Sequence, residues 1–149
     1  MFNGTVYLGS DHAGFVLKEY IEKKLTEAGV SVEDCGAPTL DPEDDYPDFV
    51  GPVADKVVSN PESRGIVFGK SGQGEAIEAN RRKGVRAVVY YGGSTEIIKL
   101  SREHNDANIL SLGAGFVGEE EAWEAVSLWL NTEFSNDPRH LRRISKLDN

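Results

Sequence analysis

The chain has 149 residues, 39% hydrophobic and 28% charged, the make-up of one soluble domain (1–149) able to bury a real core. A formal charge of −9 argues against a nucleic-acid surface, which needs a basic stripe. The single cysteine, Cys35, excludes an internal disulfide and fits a reducing cytoplasm; no apolar run reaches the roughly 18 residues of a membrane span, and the amino end does not read as a signal peptide.

Thr5–Leu8 reads as the first strand, followed by Gly9-Ser10-Asp11-His12-Ala13-Gly14. Leu17, Ile21 and Leu25 recur at a four-residue spacing and predict a helix over Phe15–Ala28, capped by Gly29. Val30–Asp34 alternates as a second strand. Ala37–Pro47 carries Pro38, Pro42 and Pro47 among acidic residues and reads as a loop. Val50–Val58 is expected to be a short helix, with Pro52 in its first turn.

Gly65–Phe68 is an apolar run of the length of a buried strand. Gly69, Gly72 and Gly74 then permit a sharp turn before a helix that starts near Glu75. Strand, glycine loop and helix start together form an anion cradle of unpaired N–H groups. A carboxylate beside such a cradle suits a loop that stabilises a developing oxyanion while the carboxylate moves a proton. Gly69-Lys70-Ser71 imitates the end of a phosphate-binding Walker loop, but the required earlier glycine is Arg64.

Arg86–Tyr91 predicts a fourth strand and Ile109–Leu112 a fifth. Between them Ser94 is a candidate N-cap for a helix burying Ile97, Ile98 and Leu100. Gly118–Leu130 predicts a helix with an acidic first turn and Trp123, Val126 and Leu130 inside; Trp123 and Trp129 both read as core. A basic helix from about Arg139 to Lys146 closes the chain. Five strand runs alternating with helices imply an α/β fold: a Rossmann-like three-layer sandwich, with a five-stranded parallel sheet, helices on both faces and an extra C-terminal helix.

In such sheets ligands bind beyond the carboxyl ends of the strands. Asp11, His12 and the glycine loop fall there. Asp11-His12 is either a helix-cap pair or a ligand pair for an anion and a hydroxyl. His104-Asn105-Asp106 is either a loop cap or part of a site. Arg139 and Arg143 lie one turn apart on one helical face, where two guanidinium forks suit a phosphate. Cys35 reads as a buried small apolar group.

Together, Gly9–Gly14, Asp45-Tyr46-Pro47, Gly69–Glu75, Ala79-Asn80, Gly84–Ala87, Ser101–Asn108 and Arg139–Arg143 resemble the ribose-5-phosphate isomerase B family, which includes galactose-6-phosphate isomerase subunits. The resemblance covers nearly the whole chain. It implies a cytoplasmic aldose–ketose isomerase of the pentose phosphate pathway that uses no metal or cofactor. One branch has a cysteine base where this chain has Gly69; another has a glutamate at the position of Glu75, and this chain looks like the second. By that resemblance His104 opens the furanose ring and Asp11 binds the ring oxygen or hydroxyls. Glu75 moves a proton between C2 and C1 of a cis-enediolate. Ser71 and the N–H groups of Gly72, Gln73 and Gly74 stabilise its oxygen. His12, Arg139 and Arg143 hold the phosphate. Sites are shared between the chains of a homodimer or tetramer, with His104, Asn105 and the arginines facing the neighbour's loop.

Two positions depart from the glutamate branch: Gly115 stands where an arginine is usual, and Lys70 where glycine is usual. Lys70 is accordingly expected to contact substrate, and a C4 or C6 sugar phosphate is an alternative to a pentose. A non-catalytic sugar-phosphate-binding module and a subunit of a hetero-oligomeric isomerase are the rival readings.

Overall fold

The computed structural model describes residues 2–149. Its centre is one parallel sheet of β1 (Thr5–Ser10), β2 (Ser31–Asp34), β3 (Arg64–Gly69), β4 (Ala87–Tyr90) and β5 (Ile109–Gly113), in the spatial order β2-β1-β3-β5-β4. The helices are α1 (Phe15–Glu27), α2 (Pro47–Ser59), α3 (Gln73–Ala79), α4 (Glu96–Glu103), α5 (Glu119–Leu130) and α6 (Pro138–Ile144).

The strand order decides which face each helix covers. Parallel crossovers are right-handed, so reversing the direction of travel across the sheet moves the connecting helix to the other face. The chain goes outward from β1 to β2, back past β1 to β3, on to β4, and back to β5. Helices α1 and α4 therefore share one face with α5, and α2 and α3 share the other. Side-chain alternation along the strands feeds both cores. Val6, Leu8, Ile66, Phe68, Leu110 and Leu112 pack with Leu17, Ile21, Leu25, Val126 and Trp129 on the first face. Tyr7, Val67 and Ile109 pack with Val50, Val53, Ala54 and Val57 on the second. Full burial of each such side chain stabilises the fold by about 1.5–3 kcal/mol.

Several boundaries differ from the sequence reading. Helix α2 begins at Pro47, three residues early, so Pro52 lies inside it and not in its first turn. Pro52 and Asp48 are both exposed, so the Asp48 carbonyl that Pro52 cannot serve is open to solvent. On α4 the inward residues are Ile98, Ser101 and Arg102; Ile97 is exposed and Leu100 half-buried. Thr95, not Ser94, occupies the N-cap, while Ser94 Oγ accepts from Glu96 N–H. Trp129 is wholly buried, whereas Trp123 is half-buried with the Lys24 ammonium 5.6 Å from its ring centre. Cys35 is half-buried at the end of β2, and burial pushes its thiol up to about 11.

The start of α1 is clamped onto the end of β3. A Cβ on Gly14 would stand 2.5–2.6 Å from the carbonyl carbon and oxygen of Phe68. This close backbone approach brings the Asp11-His12 loop beside Gly69. Gly14→Ala should therefore lower stability by about 1–3 kcal/mol. Urea unfolding with an unchanged slope and an earlier midpoint would show it; an unmoved midpoint would refute the clamp.

Candidate active site

At the carboxyl end of the sheet, three loops meet. The loop after β3 is stapled to the loop after β5: Ala114 N–H donates to Gly69 O (2.7 Å), Gly115 N–H to Lys70 O (2.9 Å), and Ser111 Oγ to Gly72 O (2.6 Å). Gly72 takes φ +77°, a left-handed turn open to glycine at little cost, and becomes the N-cap of α3. Gln73 N–H donates to Ser71 Oγ at 3.3 Å. The N–H groups of Ser71, Gly72 and Gly74 have no acceptor among the described residues, so the cradle is present but one of its expected donors, Gln73, is spent on Ser71.

Glu75 is the buried acid of this loop, 4% exposed. Its carboxylate lies directly over the α-carbon of Gly69: an added Cβ there would be 1.8 Å from Glu75 Oε1. Residue 69 can therefore carry a side chain, or residue 75 can hold its carboxylate here, but not both. Burial raises the Glu75 pKa, with a smaller push from the nearby Asp11 charge, while the residue's own backbone N–H pulls the other way. Desolvation outweighs that backbone hydrogen bond, and the net shift is upward.

Asp11 is buried and its Oδ1 accepts from Ala13 N–H at 3.0 Å. His12 is more exposed and points Nδ1 at Asp44 Oδ1 (2.7 Å), which also accepts His12 N–H at 2.9 Å. The Asp44 hydrogen bond raises the His12 pKa, so the ring favours its cationic form. Asp11, His12 and Asp44 offer three polar atoms within 4.8 Å of one another, a set able to meet a cation as well as a hydroxyl. Two residues of this end were not among the candidates from sequence. One is Asp44, hidden in an acidic loop. The other is Tyr46, whose ring would lie 2.8–3.1 Å from a Cβ on Gly74 and so covers the glycine loop.

Lys70 is exposed at the same end. Its Cγ lies 3.1 Å from where a Cβ on Gly115 would be. Its stem thus occupies the space that a side chain at 115 would need.

The remaining candidates lie at the other end of the sheet. His104 is the C-cap of α4, just before β5 begins. Its ring stacks on His140 with centroids 4.2 Å apart. His104, Asn105, His140 and Arg143 line a recess of about 190 Å³ with Ile144 and Leu147. Arg139 and Arg143 are both exposed on α6, whose N-cap Asp137 accepts from Arg139 N–H at 2.8 Å. Register pairs Gly69 with Gly113 at one end and Gly65 with Ile109 at the other. The Glu75 group and the His104 group are thus a strand length apart, about 15 Å. One chain does not bring them together.

The family model for Ribose/Galactose Isomerase matches residues 6–147. The chain belongs to this family. It is 44% identical over 142 residues to ribose-5-phosphate isomerase B of Mycolicibacterium paratuberculosis, covering 95% of this chain and 88% of that protein. Among solved structures, ribose 5-phosphate isomerase of Thermotoga maritima is similar at a TM-score of 0.91 and 38% identity, over 97% of both chains. Ribose-5-phosphate isomerase B of Mycoplasma genitalium, determined with bound ribulose-5-phosphate, is similar at a TM-score of 0.92 and 36% identity, over 99% of this chain and 95% of that one. The Rossmann-like three-layer architecture is thus the fold of ribose/galactose isomerases.

The His12–Asp44 pair yields a direct check. Asp44→Asn removes the charge that holds the proton on His12, so the imidazole titration should fall toward its ordinary value of 6.5. NMR titration of the histidine rings reads this, and an unmoved His12 would show that Asp44 is not its partner in solution.

Proposed function

We propose that this chain interconverts ribose 5-phosphate and ribulose 5-phosphate, with Glu75 as the base. The observation that carries the mechanism is the buried Glu75 carboxylate, with its raised pKa, seated over Gly69 beside three unspent loop N–H groups. The likeness to curated ribose-5-phosphate isomerases over almost the whole chain supports the substrate.

The reaction needs no external oxidant. C2 is oxidised from alcohol to ketone while C1 is reduced from aldehyde to alcohol in the same molecule. Asp11 and a histidine at position 104 take the ring hydroxyl and ring oxygen and open the furanose. Glu75 then removes the proton on C2, leaving an enediolate, and returns it to C1, while the hydroxyl proton passes from O2 to O1. A base with a raised pKa abstracts that proton more readily near neutral pH. Ser71 Oγ and the N–H groups of Gly72 and Gly74 face the enediolate oxygen; Gln73 N–H joins if Ser71 turns to the ligand. Losing one such donor costs about 3–4 kcal/mol of barrier. His12, whose cationic form Asp44 favours, binds the phosphate with Arg139 and Arg143, and Lys70 supplies a further cation in place of a side chain at 115.

His104, Asn105, Arg139 and Arg143 enter this scheme from a second copy of the chain, because within one chain they lie beyond the far end of β5. The second copy has an apolar seat: Val88, Val89, Ile97 and Leu100 line a recess of about 300 Å³ that ends at Asn105. The active form is therefore a homodimer, or a tetramer of such pairs, with each site shared. A cytoplasmic location fits a metabolic enzyme with no membrane-spanning helix among its described residues.

Glu75→Gln should lower kcat by about 10²–10⁴-fold while sugar-phosphate binding persists. The same variant should be more stable than the parent at neutral pH. A raised folded-state pKa means the folded chain holds that proton more tightly; its stabilising effect is present at low pH and lost as pH rises through the folded value. Full activity, or lowered thermal stability at pH 7, would remove Glu75 from the role. Gly69→Ala should cost about 10² in turnover by displacing the carboxylate, since misplacement of about 1 Å has that effect.

Mixing Glu75→Gln with His104→Ala should restore activity that neither has alone, because a mixed pair contains one intact site. No regain after subunit exchange would place both residues in one chain's site. A coupled assay against C4, C5 and C6 aldose and ketose phosphates fixes the substrate. In that screen an unchanged KM of Lys70→Gly for every sugar would exclude Lys70 from binding.

A further inference from the structure

A cavity of about 620 Å³ lies away from the carboxyl end of the sheet. It opens at the opposite end, where β3, β4 and β5 begin, and three arginines reach it: Arg64, Arg86 and Arg102. Two of them are deeply buried, Arg64 at 7% and Arg102 at 4% exposure. Burial of a guanidinium is costly unless its charge is matched.

Part of the cost is offset by caps. Arg64 Nη1 donates to the Trp129 and Leu130 carbonyls at 3.2 and 3.0 Å, at the end of α5. Its guanidinium also lies 4.7 Å from the Phe2 ring centre and 5.4 Å from that of Trp129. Arg102 donates from Nε to Thr132 O and from Nη1 to Ala107 O and Asp106 Oδ1. Carbonyls at and beyond the end of α5 and just before β5, the Asp106 carboxylate and two aromatic faces account for those contacts.

They leave donors over. Arg64 Nε and Nη2, and Arg102 Nη2, have no acceptor among the described residues. None of these nitrogens is among the buried polar atoms sealed from solvent without a partner, and both residues line the cavity. Arg64 has no carboxylate within ion-pair distance, and Asp106 is divided between Arg86 and Arg102. Glu62 and Glu133 stand exposed at the mouth and pair with no arginine. Burial, and then the Arg102 charge, lower the Arg64 pKa to about 10 against the smaller opposing push of the Glu133 and Asp106 charges, which still leaves it a cation at neutral pH.

The lining holds three guanidinium groups and three carboxylates, but only Asp106 contacts an arginine, so the donors left over on Arg64 and Arg102 are not served by the acids beside them. A phosphoryl group offers several acceptors to two forks, which a single carboxylate does not. We propose that this cavity is a second anion site, binding the phosphoryl group of a phosphomonoester through Arg64 and Arg102, with the ligand's body against Val57, Val58 and Pro61. A volume of this size exceeds a bare phosphate and falls in the range of small-molecule sites.

Calorimetric titration of the intact oligomer with inorganic phosphate tests the site. The parent should bind two phosphates per chain. Arg139→Ala should lose one and keep the other. Arg64→Leu should lose the other, with kcat/KM for ribose 5-phosphate held within about twofold because the two sites are far apart. Phenyl phosphate should bind the Arg64 site about tenfold more tightly than inorganic phosphate by burying its ring. Equal affinity would overturn the phosphomonoester assignment, and two phosphates retained in Arg64→Leu would overturn the site. If Arg64→Leu does not fold, parent crystals soaked in tungstate decide: anomalous density between Arg64 and Arg102 supports the site, and its absence refutes it. These outcomes do not depend on Glu75, so failure here leaves the isomerase reading untouched, and the reverse holds.

Discussion

A missing methyl group organises the catalytic end of this protein. Because Gly69 has no Cβ, the Glu75 carboxylate can rest on the backbone at the end of β3, where its charge is poorly solvated and its pKa rises. The neighbouring contacts keep that arrangement in place. Ser111, Ala114 and Gly115 tie the loop to β5 from one side. Gly14 and Asp11 close against β3 from the other. A carboxylate that must move a proton near neutral pH needs this enclosure more than it needs any single partner.

The second constraint is directional. A parallel sheet sends every loop after a strand to one end and every loop before a strand to the other. Asp11 and the glycine loop follow strands, whereas His104 and Asn105 precede β5. In the proposed scheme, chemistry that uses both groups is completed by another copy, seated on the half-buried apolar edge of β4 and α4. The same geometry leaves a cavity at the amino end, where Arg64 and Arg102 cap neighbouring segments and keep N–H groups in reserve.

Much of this was legible in the residue order. Strand runs, their alternation with helices and the glycine spacing after β3 all express local periodicity and backbone freedom, which a sequence carries directly. The helix faces were less legible. Ile97 and Leu100 follow the apolar pattern of α4, yet Ile98 and Arg102 face the core, since three apolar residues crowded into four positions leave the inward face of a short helix undecided. Asp44 and Tyr46 sit in a proline-rich acidic loop whose composition describes solvent exposure and says nothing of its fold over Gly74 and His12.

The sequence by itself determined the parallel sheet, the cradle of N–H groups and the presence of one acid beside it, because these follow from short-range pattern. Only the tertiary structure decided the state of that acid. Two opposing effects act on Glu75, and their balance depends on how completely loops from β1, β3 and β5 exclude water, a quantity set by contacts across dozens of residues. It also decided that the candidate residues form two groups and not one, since the distance between them is the length of β5 and the direction of its neighbours, which no motif records.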